Sequence, residues 1–309
     1  MKKNNLLTQL GITAPSVELI IQPDWATKHG ITLVVKRDDL LHPLISGNKW
    51  RKLKYALIPA IEAKTTHIIS FGGGFSNHVH ALGYCCQQLN IQFTAIIRGD
   101  YSLNPSPMLQ DLIRWKANIQ YVDRQTYQQR TNPDYLQTLQ QQYPDTLIIP
   151  EGGSQLQALK GVTEIIDELQ SPYDYVLVPV ASGGTLAGLA TVITTGLNNH
   201  NKLTDCTIIG IGVLKGEGYL EQLVTDLLAK DTQTRSWHIN HDYHFGGYAK
   251  SNHVLTEFCQ DFYQQTEIKI EPVYSGKLFF ALRDLIAKGY FPHGSRIMAL
   301  HTGGLQGAR

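Results

Sequence analysis

The chain has 309 residues, which allows about two domains at roughly 150 residues each. Its 27 Lys and Arg residues nearly balance 26 Asp and Glu residues, and 17% of all residues are charged. These values argue against a nucleic-acid partner, an anionic membrane surface and a disordered chain.

The cysteines and the N-terminus predict a reduced, cytoplasmic protein. Four cysteines are too few for a disulfide framework, and Cys85 and Cys86 are neighbours. The first residues lack the sustained apolar run of a secretory signal. Residues 176–197 carry no charge and could span a bilayer by length, but Pro179 and the polar turn at 182–185 divide them. We therefore expect no membrane span.

An apolar strand, a glycine-rich turn and a helix recur in this order along the chain. The first copy has a strand at 67–71 and a turn at 72–77, and similar strands precede turns at 151–154 and 182–185. Further apolar segments that predict strands are residues 93–97, 119–122, 207–213 and 296–300. Continuous apolar strands that alternate with helices predict an α/β fold with mainly parallel sheets covered on both faces.

Residues 124–145 are rich in Gln and Tyr and contain Pro133 and Pro144. This composition indicates a polar surface helix with turns. It places a domain boundary between residues 124 and 155.

A cluster of cations lies at the predicted start of a helix, in the segment 46–54. Lys49, Arg51, Lys52 and Lys54 oppose the positive end of the helix dipole. Spacing alone favours solvated surface charges, and the alternative is an anion held nearby.

Residues 182–185 could bind a phosphate. Two glycines let the backbone approach closely, two hydroxyls add donors, and the helix that follows presents unpaired N–H groups. Tight packing of strand and helix is the more common reason for such glycines. We expect no metal site, because His238, His241 and His244 have no carboxylate or cysteine at a recognised ligand spacing.

Six segments in a fixed order resemble one enzyme family. They are KRDD (36–39), SGNKWRKLKYAL, SFGGGFSNHVHALG, VASGGTLAG, EPVYSGK and HTGG. The chain resembles, from about residue 10 onward, the pyridoxal-phosphate (PLP) enzymes grouped as 1-aminocyclopropane-1-carboxylate (ACC) deaminase and D-cysteine desulfhydrase. The resemblance implies the tryptophan-synthase-β-like fold, with two open α/β domains, PLP in the cleft between them, and a homodimer. The large domain would comprise residues 1–49 and 156–309, and the small domain residues 50–155.

The resemblance also implies roles for individual residues. Lys49 resembles the lysine that binds PLP covalently, and Asn77 resembles the asparagine that hydrogen-bonds its phenolic oxygen. Ser76, Asn77 and His78 would receive the substrate carboxylate, with Ser76 also a candidate proton carrier, and Tyr248 and Tyr274 resemble the active-site tyrosines. The other residues expected to contact the cofactor are Lys52, Ser182, Gly183, Gly184, Thr185, Leu186, Ser275 and Thr302.

Ser275 departs from the ACC deaminases, which carry glutamate facing the pyridine nitrogen of PLP. A serine hydroxyl cannot hold a full charge there, so PLP becomes a weaker electron sink. This predicts β-elimination of D-cysteine or an analogue to pyruvate, ammonia and sulfide. ACC deamination to 2-oxobutanoate is the alternative, and a non-catalytic module that binds a phosphorylated metabolite is a distant third.

Overall fold

Two β-sheets organise the chain in a computed structural model that describes residues 3–45, 47–195, 205–228 and 237–304. Ser46, from the second motif above, lies outside the described residues. The strands are β1 (Val17–Ile21), β2 (Thr32–Arg37), β3 (His67–Gly73), β4 (Gln92–Arg98), β5 (Asn118–Val122), β6 (Thr146–Ile149), β7 (Tyr175–Val180), β8 (Thr207–Gly212), β9 (Trp237–Asn240) and β10 (Arg296–Leu300). The helices are α1 (Lys3–Leu10), α2 (Asp24–Thr27), α3 (Asn48–Glu62), α4 (Asn77–Leu89), α5 (Pro107–Arg114), α6 (Arg124–Gln128), α7 (Pro133–Gln142), α8 (Leu156–Asp167), α9 (Gly184–Thr195), α10 (Tyr219–Thr225), α11 (His253–Thr266) and α12 (Ser275–Ala287).

The larger sheet has six strands in the order β1-β2-β10-β7-β8-β9, and the smaller has four in the order β5-β4-β3-β6. Only the β1–β2 pair is antiparallel within the described parts of the chain. The predicted α/β class with two mainly parallel sheets is confirmed. The sequence analysis missed β1, β2 and β9, because β1 and β9 are short edge strands and β2 ends in charged residues.

Both faces of each sheet are buried, as parallel sheets require. In β2, Leu33 and Val35 pack into one core while Val34 packs into another on the opposite face. In β3, the neighbours Ile68 and Ile69 likewise enter different cores. Leu10 and Ile45 share the core of Ile68, so part of the N-terminal segment packs on the smaller sheet. The predicted domain boundaries stay a prediction.

Residues 124–145 form α6 and α7 with a short 3₁₀ turn between them. Most of this segment is exposed, as expected, but Tyr127 and Leu139 are buried. Among the described residues, no helix has the length and apolar composition that crossing a membrane would need.

The cationic cluster on α3 is not a solvated surface, so that prediction is wrong. Arg51, Lys52 and Lys54 are only 2–3% exposed. Arg51 forms two hydrogen bonds to Asp38, at 2.6 and 2.7 Å, and Lys54 pairs with Glu164. The backbones of α3 and α8 touch here, because a Cβ on Gly161 would lie 1.8 Å from the Arg51 carbonyl oxygen. Tertiary contacts therefore hold the first turn of α3 rigidly against α8.

Candidate active site

A cleft of about 600 Å³ lies where the turns after β3, β6 and β7 meet, at the carboxyl ends of these parallel strands. Open α/β sheets bind ligands at this edge. The sequence-predicted residues that line it are Lys49, Lys52, Ser76, Asn77, His78, Ser182, Gly183, Thr185, Leu186, Tyr248, Tyr274 and Thr302. Gly184 lies next to the lining residues Lys52 and Ser154, whereas Ser275 is fully buried beside Tyr274.

Lys49 lies in the first turn of α3, at the helix start where the sequence predicted it, and the helix begins at Asn48. Gly47 precedes it in the left-handed region, with φ of 58°, and a Cβ there would lie 1.7 Å from the carbonyl oxygen of Thr302. Glycine thus lets the start of α3 touch the loop after β10. Burial lowers the pKa of the Lys49 amine to about 8. The amine is therefore closer to its neutral, nucleophilic form than an exposed lysine.

Lys52 forms the floor of an anion site with two serines. Its Nζ donates to Ser154 Oγ at 3.1 Å and to Ser182 Oγ at 3.3 Å, and these hydroxyls lie 2.8 Å apart. Burial, and then the charge of Lys49, lower the pKa of Lys52 well below its usual value. No carboxylate pairs with Lys52 in the described part of the chain. A buried amine with only hydroxyl partners takes up its charge more readily when an anion lies beside it, so the site favours an anion.

The start of α9 completes this anion site. The first N–H groups of a helix have no partner within it and attract negative charge. A Cβ on Gly184 would lie 2.7 Å from Ser154 Oγ and 3.2 Å from Lys52 Nζ, so glycine keeps this space open. The geometry fits a phosphate group, and therefore fits the phosphate of PLP.

The loop before α4 supplies the second polar wall. Ser76 caps α4, because its Oγ accepts the Val79 N–H at 3.3 Å. Ser70 donates its one hydroxyl hydrogen to the Ile149 carbonyl, so its oxygen accepts from His78 Nε2 at 2.7 Å. Nδ1 of His78 therefore carries a lone pair, and it is buried without a hydrogen bond to any described residue.

His78 is neutral at physiological pH, since burial and then the charge of Lys49 lower its pKa well below the usual value. A neutral ring whose one N–H is used by Ser70 and whose other nitrogen is an acceptor cannot donate to a carboxylate. Any contact between His78 and a substrate carboxylate would come from its backbone N–H in the first turn of α4.

Tyr248 and Tyr274 meet across the cleft. Their hydroxyl oxygens lie 3.2 Å apart, and the ring centroids lie 5.9 Å apart with an edge-to-face angle of 73°. Burial raises the pKa of both phenols. Both hydroxyls therefore keep their protons at neutral pH.

Glu271 organises the start of α12, and sequence reasoning missed it. This carboxylate is 1% exposed and accepts the backbone N–H groups of Val273, Tyr274 and Ser275 at 2.6–2.9 Å. Ser275 Oγ accepts the Glu271 N–H at 2.9 Å and lies 3.2 Å from its Oε1. Burial raises the pKa of Glu271 to about 7. The Ser275 hydroxyl is thus engaged with Glu271.

A further wall of the cleft, also missed, is built around the Tyr127 ring. The guanidinium carbon of Arg98 lies 5.6 Å from the ring centroid and that of Arg130 lies 4.9 Å from it. Glu151 accepts from the Tyr127 hydroxyl at 2.7 Å and from Arg130 Nε at 2.6 Å. These residues come from β4, the α6 region and the turn after β6, so no local pattern joins them.

Among the described residues, no three His, Cys, Asp or Glu side chains are grouped so that they could hold a metal ion. His241 instead pairs with Glu221, with Nε2 2.6 Å from Oε1.

Comparison with known proteins agrees with the motifs. The sequence model of the family described as pyridoxal-phosphate dependent enzyme matches residues 17–303. A Pyrococcus furiosus protein, provisionally named a 1-aminocyclopropane-1-carboxylate deaminase, is 30% identical over 315 residues, covering 95% of this chain and 93% of that protein. The D-cysteine desulfhydrase of Salmonella newport is 29% identical over 300 residues, covering 89% and 87%. A crystal structure described as an ACC deaminase homologue matches with a TM-score of 0.80 and 25% identity, over 98% of this chain and 95% of that one.

Proposed function

The chain belongs to the family of pyridoxal-phosphate dependent enzymes, and from this premise we propose that it catalyses β-elimination of D-cysteine or a close analogue. D-cysteine and water would give pyruvate, ammonia and hydrogen sulfide. The predicted family and the cofactor PLP are confirmed. The activity is confirmed only as that of a lyase or deaminase of the ACC deaminase and D-cysteine desulfhydrase type. The non-catalytic alternative is therefore abandoned. A small amino-acid substrate fits these relatives, while a homodimer and a cytoplasmic location stay predictions.

One observation carries the proposal: the Lys49 amine lines the same cleft as the anion site at Lys52 and the tyrosine pair. In this assignment Lys52, Ser154, Ser182 and the start of α9 hold the phosphate of PLP. The amine of Lys49 is the covalent attachment point. Asn77 and Thr302 would contact the ring, and the first turn of α4 would receive the substrate carboxylate.

PLP, when bound, supplies an electron sink for negative charge at the substrate Cα. The Lys49 amine would hold the cofactor and would also be the base that removes the Cα proton. Its lowered pKa suits this general-base role. The bond between Cβ and sulfur then breaks, and the electron pair leaves with the sulfur. The hydroxyl of Tyr248, backed by Tyr274, would donate a hydrogen bond to the departing thiolate.

Ser275 supports D-cysteine over ACC. ACC has no hydrogen on Cα, so opening its ring demands a stronger electron sink than removal of an ordinary Cα proton. Glu271 is the carboxylate nearest Ser275, but backbone N–H groups already occupy both its oxygens. A neutral hydroxyl at this position suits β-elimination, in which the leaving thiolate carries the electrons away.

ACC deamination remains the second candidate, because the Pyrococcus furiosus relative carries that name. The deciding experiment incubates the PLP-loaded enzyme with D-cysteine, L-cysteine and ACC and measures sulfide and 2-oxobutanoate in parallel. Sulfide from D-cysteine without 2-oxobutanoate from ACC supports the proposal, and the reverse result overturns it. We expect Ser275→Glu to raise the rate with ACC relative to D-cysteine.

The attachment of the cofactor is tested separately with Lys49→Ala, matched by Lys160→Met at an exposed lysine on α8. We expect only Lys49→Ala to lose the visible absorbance of covalently bound PLP and its fixation by borohydride. A Lys49→Ala protein that still fixes PLP and turns over substrate would contradict the assignment of Lys49.

A further inference from the structure

Lys277, on α12, is a fully buried cation outside the set of residues used above. Its side chain is 0% exposed. Its Nζ donates to three carbonyl oxygens: Val213 at 2.9 Å, His244 at 2.8 Å and Gly247 at 2.8 Å. An ammonium has three hydrogens, so the donors and acceptors match completely.

Two of these carbonyls belong to the loop that carries Tyr248. The His244 oxygen also accepts the Gly247 N–H at 3.0 Å, and the Gly247 oxygen accepts the Lys250 N–H at 3.1 Å. These bonds define two consecutive turns, at 244–247 and 247–250. Lys277 therefore donates to the acceptor carbonyl of each turn. The first turn ends directly before Tyr248, and the second contains Tyr248.

The backbone of this loop is in an unfavourable conformation. Phe245 and Ala249 have φ of 53° and 54°, in the left-handed region that L side chains rarely adopt. Gly246 and Gly247 lie between them with φ of 97° and 131°. Such a loop keeps its shape only where surrounding contacts impose it. Three buried hydrogen bonds from one ammonium are such a contact.

The same helix end also carries the other tyrosine. Tyr274 is the N-cap residue of α12, three residues before Lys277, and Glu271 holds the backbone there. The start of α12 thus carries Tyr274 directly, and it binds the loop of Tyr248 through the hydrogen bonds of Lys277. The contact of 3.2 Å between the two hydroxyls follows from this arrangement.

We propose that Lys277 is a positioning residue that holds the Tyr248 loop against α12 and so sets the Tyr248–Tyr274 hydroxyl pair. The role of that pair in catalysis rests on the proposed function, whereas the grip on the loop does not. Burial lowers the pKa of Lys277 to about 8, with Glu271 opposing the shift, so the ammonium form still dominates at neutral pH.

The first test measures hydrogen exchange in the PLP-loaded protein. Lys277→Met keeps an unbranched side chain one atom shorter and removes all three donors, and Lys160→Met is the matched control at an exposed lysine. We expect the amides of Gly246, Gly247 and Lys250 to exchange on the order of tenfold faster in Lys277→Met only, with residues 278–287 of α12 unchanged. Unchanged exchange in the loop overturns the proposal, and so does an equal loss of protection along α12. Should Lys277→Met not fold, Lys277→Leu, which also removes every donor, replaces it with the same criteria.

The second test is a double-mutant cycle on whichever amino acid the enzyme turns over. We expect Lys277→Met to add little to the loss of kcat caused by Tyr248→Phe, because both act through one hydroxyl. Losses that multiply would overturn the positioning role. If no amino acid is turned over, the proposed function fails, and the exchange experiment still decides whether Lys277 holds the loop.

Discussion

Replacement of Arg51 by methionine should destabilise the protein strongly, because it leaves a buried carboxylate without its partner. Asp38 is 0% exposed, and within the described part of the chain its side chain has, beyond Arg51, one hydrogen-bond partner, the Ser16 hydroxyl at 2.6 Å. Glu168 is better protected, since Lys36 Nζ lies 3.2 Å from its Oε2. Removal of one partner of a buried ion pair costs about 3–5 kcal/mol. We expect a loss of this size in the free energy of unfolding at pH 7.

Urea unfolding followed by circular dichroism measures this loss. Arg124→Met is the control at an exposed arginine and should change stability by less than about 0.5 kcal/mol. The double variant Arg51→Met, Asp38→Leu should recover more than half of the loss, because apolar replacement of both partners is often close to neutral. A loss below about 1 kcal/mol for Arg51→Met, or no recovery in the double variant, would refute the reasoning.

The pH dependence provides an independent check. Arg51 and Lys36 lower the pKa of Glu168 from 4.5 to about 2 against the effect of burial. A lowered carboxyl pKa stabilises the folded state above pH 4.5, and this stabilisation is lost as the pH falls towards 2. The shift corresponds to about 3 kcal/mol. Because Arg51→Met removes most of it, the stabilities of the wild type and the variant should converge in acid.

Three further perturbations test the walls of the cleft. Gly184→Ala puts a Cβ 2.7 Å from Ser154 Oγ, so PLP affinity measured by fluorescence titration of the apoprotein should fall about tenfold or more, and an unchanged Kd would count against the phosphate site. Ser70→Ala leaves the buried Nε2 of His78 without a partner and should lower the free energy of unfolding in urea by about 1–3 kcal/mol; a negligible change would contradict the buried Ser70–His78 hydrogen bond. The pKa of Glu271, raised by burial to about 7, means that wild-type stability falls as pH rises from 4.5 through 7. Glu271→Gln should flatten this decline in urea titrations, and equal slopes would show that the shift arises elsewhere.

The sequence predicted strands and turns best where a short contiguous segment carries the whole pattern. The strands at β3, β7 and β10 are continuous apolar runs, and the turn that follows each is rich in glycine. A helix start at Lys49 was predicted from the spacing of apolar residues, and the structure begins α3 one residue earlier. The edge strands β1 and β9 were harder to predict, because each pairs with a neighbour on one side only and buries less apolar surface.

Errors and omissions arose where side chains meet from distant segments. The sequence pattern of α3 predicts solvated cations. In the structure, Arg51 instead forms hydrogen bonds to Asp38 and Glu168, which lie 13 and 117 residues away in the chain. Glu271 is close to Tyr274 in the chain, but its role depends on the turn that aims it at three backbone amides. The position of Lys277 depends in the same way on three carbonyl groups that lie 30 to 64 residues away in the chain.

The alternation of apolar strands, glycine-rich turns and helices predicted the α/β class without any coordinates. The resemblance carried by six ordered motifs predicted the family and the cofactor, since each motif is a contiguous run of residues. Only the tertiary structure decided which charges are buried, which tautomer His78 adopts, and that one helix end governs both tyrosines. Those properties depend on desolvation and on distances between segments, and neither quantity can be derived from the local order of residues.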